Sequence, residues 1–106
     1  MGGMSCNEMS YIPWQILKKA SNYCVSVSDR NVAKTVALLK DKKLSNNSII
    51  GGECSTPGII GLISVCNNSK TRKLIELNEK SNVLIIGCEG NADVKLYKQL
   101  LSKGRR

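Results

Sequence analysis

Histidine and phenylalanine are both absent from the 106 residues. Without imidazole, no Ser-His-Asp or Cys-His nucleophile arrangement and no His-ligated metal site can form. Aromatic residues are only Tyr11, Trp14, Tyr23 and Tyr97, few platforms for stacking against single-stranded nucleic acid. The five cysteines, Cys6, Cys24, Cys54, Cys66 and Cys88, include no C-x-x-C pair, which removes zinc-ribbon and thioredoxin-type readings. Their odd number, with no secretory leader at Met1–Met4, points to reduced thiols and a cytoplasmic protein. No apolar run approaches the ~20 residues that cross a bilayer. Cys6 stands where a myristoylation motif needs Ser or Thr, so no membrane attachment is expected.

What is abundant is positive charge: 16 Lys and Arg against 8 Asp and Glu, a net +8. Lys95, Lys98, Lys103, Arg105 and Arg106 could form a phosphate-binding patch, the mark of a stand-alone basic module for nucleic acid. The lysines are nevertheless spread over almost every segment, with no zinc module, RNP-like sequence or helix-turn-helix. Solvated helix faces account for them more simply. The length allows one domain at most, with a small core.

Periodicity predicts a helix over Ser10–Ser21, with Pro13 in its first turn and Ile12, Ile16 and Ala20 on one face. Tyr23–Val27 reads as a strand. Ser28 is placed to cap a helix running to about Lys42, whose buried stripe is Val32, Ala33, Val36 and Leu39. After a polar connection and two glycines, Ile59–Cys66 reads as a helix packed on both sides, and Thr71–Asn78 as a short polar helix. Val83–Gly87 is a continuous apolar run suited to a parallel strand covered on both faces. A last helix begins at Asp93, presents Leu96, Tyr97, Leu100 and Leu101, and ends at Gly104. Two such strands cannot make a complete sheet, so the expectation is an incomplete α/β unit with parallel strands covered by helices.

Four short motifs carry a resemblance. Gly3-Met4-Ser5-Cys6-Asn7-Glu8-Met9-Ser10, with Trp14, is similar to a signature of 2,3-diaminopropionate ammonia-lyases. These are pyridoxal-phosphate (PLP) enzymes of fold type II. Val27-Ser28-Asp29 resembles their strand-to-helix step, Gly52-Glu53-Cys54 their Gly-Glu-Ser motif, and Glu89-Gly90-Asn91-Ala92-Asp93 with Tyr97 their terminal motif. The order and approximate spacing agree over nearly the whole chain. Asn7, Met9, Pro13, Ser55-Thr56-Pro57, Ala92 and Val94 depart from the pattern.

The resemblance implies that residues 1–106 are the C-terminal portion of the large domain of a fold-type II enzyme. Its reaction would be the PLP-dependent α,β-elimination of an amino-acid substrate to pyruvate and ammonia, in an enzyme that is a homodimer when complete. It also implies cofactor-binding roles for Cys88, facing the pyridine nitrogen, and Glu53, near the ring edge. No catalytic residue and no metal ligand is expected here. The Schiff-base lysine, the phosphate loop and the acid/base groups belong to a missing N-terminal part, and the chain should be inactive alone. A non-catalytic half of a split enzyme is the related alternative. From the residues alone, Cys88 is more simply a small buried hydrophobe, and Glu53 a carboxylate complementing a helix dipole. Cys6 could line the substrate side or be a small loop residue. Glu89, Gly90 and Asp93 read as turn chemistry.

Overall fold

Five α-helices carry the ordered backbone of the computed structural model, which describes all 106 residues: α1 (Tyr11–Ala20), α2 (Val32–Lys40), α3 (Pro57–Asn67), α4 (Ser69–Leu74) and α5 (Val94–Gly104). Short 3-10 turns stand at Gly2–Met4, Asp29–Asn31 and Glu53–Ser55. The caps are local. Ser28 Oγ accepts from Arg30 N–H at 3.3 Å ahead of α2, and Asn68 Oδ1 accepts from Lys70 and Thr71 N–H at the start of α4. Asp93 Oδ1 accepts from Leu96 N–H at 2.8 Å, capping α5. Each oxygen satisfies a donor that the first turn leaves free.

The core is small and is formed by α2 with residues of α3, α5 and the turn before α3. Val32, Ala33, Val36, Ala37 and Leu39 of α2 are buried with Ile60, Val65, Cys54 and Tyr97. The closest packing joins α2 to α5. A Cβ on Gly104 would fall on the carbonyl of Ala33 and 3.0 Å from the Ala37 methyl, so only glycine lets the two backbones approach this closely. Asp41 and Arg105 close the same end, with Arg105 Nε donating to Asp41 Oδ2 at 2.9 Å. The apolar face of α1 is uncovered: Ile12, Trp14, Ile16 and Leu17 are all exposed. A radius of gyration of 15.0 Å exceeds the roughly 13 Å typical of a closely packed chain of this length.

The expected α/β architecture is overturned. No strand and no sheet is present. Tyr23–Val27 and Val83–Gly87, expected as parallel strands, contribute no backbone N–H or C=O to any backbone hydrogen bond. The physical reason is that a strand exists through its ladder, and apolar composition alone supplies no partner. The helices follow the periodicity, with two shifts. The segment read as helical over Ile59–Cys66 starts at Pro57, where the missing N–H costs nothing. The polar helix read over Thr71–Asn78 runs instead from Ser69 to Leu74, because Asn68 caps it early and Glu76 adopts a positive φ of 56°.

Candidate functional site: two turns locked together

Two turns far apart in sequence are joined around Glu89. Gly52 N–H donates to Glu89 O at 3.0 Å, and Cys54 N–H donates to Glu89 Oε2 at 2.7 Å. Ser55 Oγ donates to Glu89 O and accepts from Glu89 N–H at 2.9 Å. Cys88 S–H donates to Cys54 O at 3.3 Å. The Gly-Glu-Cys turn before α3 is thereby tied to the Cys-Glu-Gly turn before α5. The approach demands glycine at position 52, where a Cβ would lie 2.7 Å from Glu89 Cδ and against Gly90 O.

Of the residues read as cofactor-binding, Cys88 is exposed at this junction. Glu53 lies between Gly52 and Cys54 of the junction, but its carboxylate points elsewhere: its Oε1 accepts from Gly2 N–H at 2.9 Å and pairs with the Met1 ammonium at 3.6 Å. The carboxylate bonded to the turn at the entry of α3 is that of Glu89. Serving a turn distant in sequence rather than its own is a role that only the tertiary structure reveals. Glu53 contributes its carbonyl there, accepting from Thr56 Oγ1 at 2.7 Å. Asp93 serves as a helix cap, as its position suggested.

Sequence reasoning missed Cys54 and Ser55, both buried in the junction. Burial, with the Glu89 and Glu53 charges nearby, pushes the Cys54 thiol up from its ordinary pKa. Cys6 is exposed and free. Every lysine is exposed except the half-buried Lys40. A lysine that forms a Schiff base near neutral pH needs desolvation or a cationic neighbour, and no lysine of this chain is fully buried. No helix is long and apolar enough to cross a membrane.

No family profile matches the chain, and no solved structure is similar to it. Three curated relatives are. The diaminopropionate ammonia-lyases of Escherichia coli K12, O6:H1 and O157:H7 are each 30% identical to it over 108 aligned residues. The alignment takes in 99% of this chain but 27% of each relative, so the chain spans about a quarter of the enzymes it matches. The motifs around Cys6, Glu53 and Glu89 thus belong to a similarity that runs through the chain, and what it is similar to is a stretch of diaminopropionate ammonia-lyase.

Proposed function

We propose that this chain forms part of a PLP-dependent lyase of the diaminopropionate type, contributing a wall at the pyridine edge of the cofactor and none of the reacting groups. The observation that carries the reading is the similarity to diaminopropionate ammonia-lyase over 99% of the chain. Bound PLP would supply the electron sink for α,β-elimination of an amino acid, giving pyruvate and ammonia. The donor chemistry fits at one position. Cys88 presents an exposed thiol whose single proton rests on Cys54 O at 3.3 Å. A thiol is a weak donor, and a pyridine nitrogen is an acceptor to which it can turn. As a neutral group, it leaves that nitrogen unprotonated. Glu53, second in the proposed wall, keeps its carboxylate on the Gly2 N–H and so holds the edge in place.

The exposed lysines support placing the Schiff-base lysine in the part of the enzyme that this chain does not cover, and the phosphate loop and the acid/base groups are proposed to lie there as well. That part is the proposed partner, and the completed enzyme is proposed to be a cytoplasmic homodimer. The test grafts residues 1–106 into Escherichia coli diaminopropionate ammonia-lyase in place of the matching stretch. The graft should bind PLP and release pyruvate from 2,3-diaminopropionate, while the isolated chain releases none. Cys88→Ser should keep activity in the graft and Cys88→Ala should lower it by about tenfold, the effect of one hydrogen bond worth roughly 1.4 kcal/mol. A folded graft without PLP absorbance, or pyruvate from the isolated chain, would overturn the reading.

A further inference from the structure

One stripe of α5 carries only cations and uncharged polar groups. Tyr97, Leu100, Leu101 and Gly104 make the covered face of this helix, buried or half-buried, with Gly104 against Ala33 and Ala37 of α2. The helical period brings Lys95, Lys98, Gln99, Ser102 and Lys103 together on the opposite side, and all of them are exposed. Lys95 and Lys103 stand about 12 Å apart along the axis, and Arg105 and Arg106 follow directly.

No carboxylate answers this charge. The ion pairs of the chain involve the Met1 ammonium and Arg105, and no lysine takes part in one. Asp41 is taken up by Arg105, and Asp93 by the Leu96 N–H that it caps. Nor does the stripe serve the helix. Lys95 stands in the first turn, where the dipole opposes a cation. Lys95 and Lys98, three residues apart, repel each other. Only Lys103, in the last turn, favours the helix.

We propose that this stripe binds the phosphate backbone of double-helical nucleic acid, without reading its sequence. A duplex presents about seven charges over ~12 Å of its axis, and lysine, glutamine and serine side chains all bond to phosphate oxygens. A single strand is the weaker candidate, because no aromatic side chain stands on the stripe to stack on a base, and Tyr97 is buried on the other face. A lipid surface is weaker too. An interfacial helix inserts its apolar face, and that of α5 is already covered. Neither Cys88 nor Glu53 takes part, so PLP binding and duplex binding succeed or fail separately.

The experiment measures binding of residues 1–106 to a fluorescent mixed-sequence DNA duplex by anisotropy, over a series of salt concentrations. The logarithm of the binding constant should fall against that of salt with a slope of about −2.7, roughly 0.9 for each lysine, which is about fortyfold between ~50 and ~200 mM. Lys95→Gln, Lys98→Gln and Lys103→Gln together should remove most of that slope. The same three lysines changed to arginine keep the charge and should keep the binding, with helical circular dichroism checking that each variant folds. Lys70→Gln, Lys73→Gln and Lys80→Gln together remove equal charge elsewhere and should leave the slope unchanged. Equal losses from the two glutamine triples would make net charge, rather than the stripe, the source of binding and overturn the proposal. Absence of binding at low salt overturns it, as does tighter binding to a single strand or to vesicles of phosphatidylglycerol than to the duplex. If the stripe triple does not fold, Lys98→Gln alone should cost about 0.9 of the slope, and an unchanged slope there overturns the proposal.

Discussion

The Glu89 carboxylate accepts a hydrogen bond from the Cys54 N–H at 2.7 Å, across 35 positions of sequence. Through this contact the turn before α5 serves the turn before α3, and Cys88 is fixed next to Cys54. Glu89→Ala should leave the buried donor at Cys54 without a partner. The expected loss is about 1–3 kcal/mol of stability, read from the urea midpoint by circular dichroism. Glu89→Gln keeps an acceptor oxygen and should lose less than half as much. Equal losses for the two variants would mean that the carboxylate does not hold the junction.

Cys54 is buried and its thiol is held in the protonated form, whereas Cys6, Cys24, Cys66 and Cys88 are exposed. The thiolate is the species that alkylates. Brief treatment with iodoacetamide near pH 8 should therefore modify four cysteines and spare Cys54, with mass spectrometry of peptides locating the adducts. Denaturant should make the fifth react. Prompt native labelling of Cys54 would contradict the junction as described.

Gly104→Ala would place a methyl on the Ala33 carbonyl, where α2 and α5 are closest. Alanine favours a helix over glycine by about 1 kcal/mol, but overpacking against rigid backbone costs about 1–3 kcal/mol. The net expectation is a lower urea midpoint. A raised midpoint would show that the end of α5 stands away from α2.

Tyr97 is 7% exposed and its hydroxyl has no hydrogen-bond partner. Burial pushes its pKa up. Tyr97→Phe removes an unsatisfied polar group while keeping the ring, so stability should hold or rise by up to about 1 kcal/mol. A marked loss in thermal unfolding would reveal a partner for the hydroxyl.

Asp41 is held below its ordinary pKa by the hydrogen bond from Arg105, with the Arg105 charge adding to it against the cost of desolvation. A carboxyl depressed in the folded state contributes stability that is fully present above its unfolded pKa. That contribution is lost as pH falls through the lower folded value. Stability measured from neutral pH downwards should therefore fall in the acid range, and more steeply for the native chain than for Asp41→Asn. Parallel curves for the two would remove the pair from any role in acid stability.

The helices were legible because their signals are local. The stripe Val32, Ala33, Val36 and Leu39, the cap at Ser28 and the cap at Asp93 each lie within a turn or two of what they determine. The motifs around Cys6, Glu53 and Glu89 were equally legible, being short strings of residues. Strands were not, since Tyr23–Val27 and Val83–Gly87 show the composition of strands but depend on distant backbone for their bonds, and no such backbone pairs with them here. The tertiary structure alone decided that Glu89, rather than Glu53, holds the turn before α3, and that Gly52 must stay small to let it. Sequence fixes side-chain chemistry and local periodicity; which charge meets which N–H across 35 positions is settled only when the packing of α2, α3 and α5 brings the two turns together.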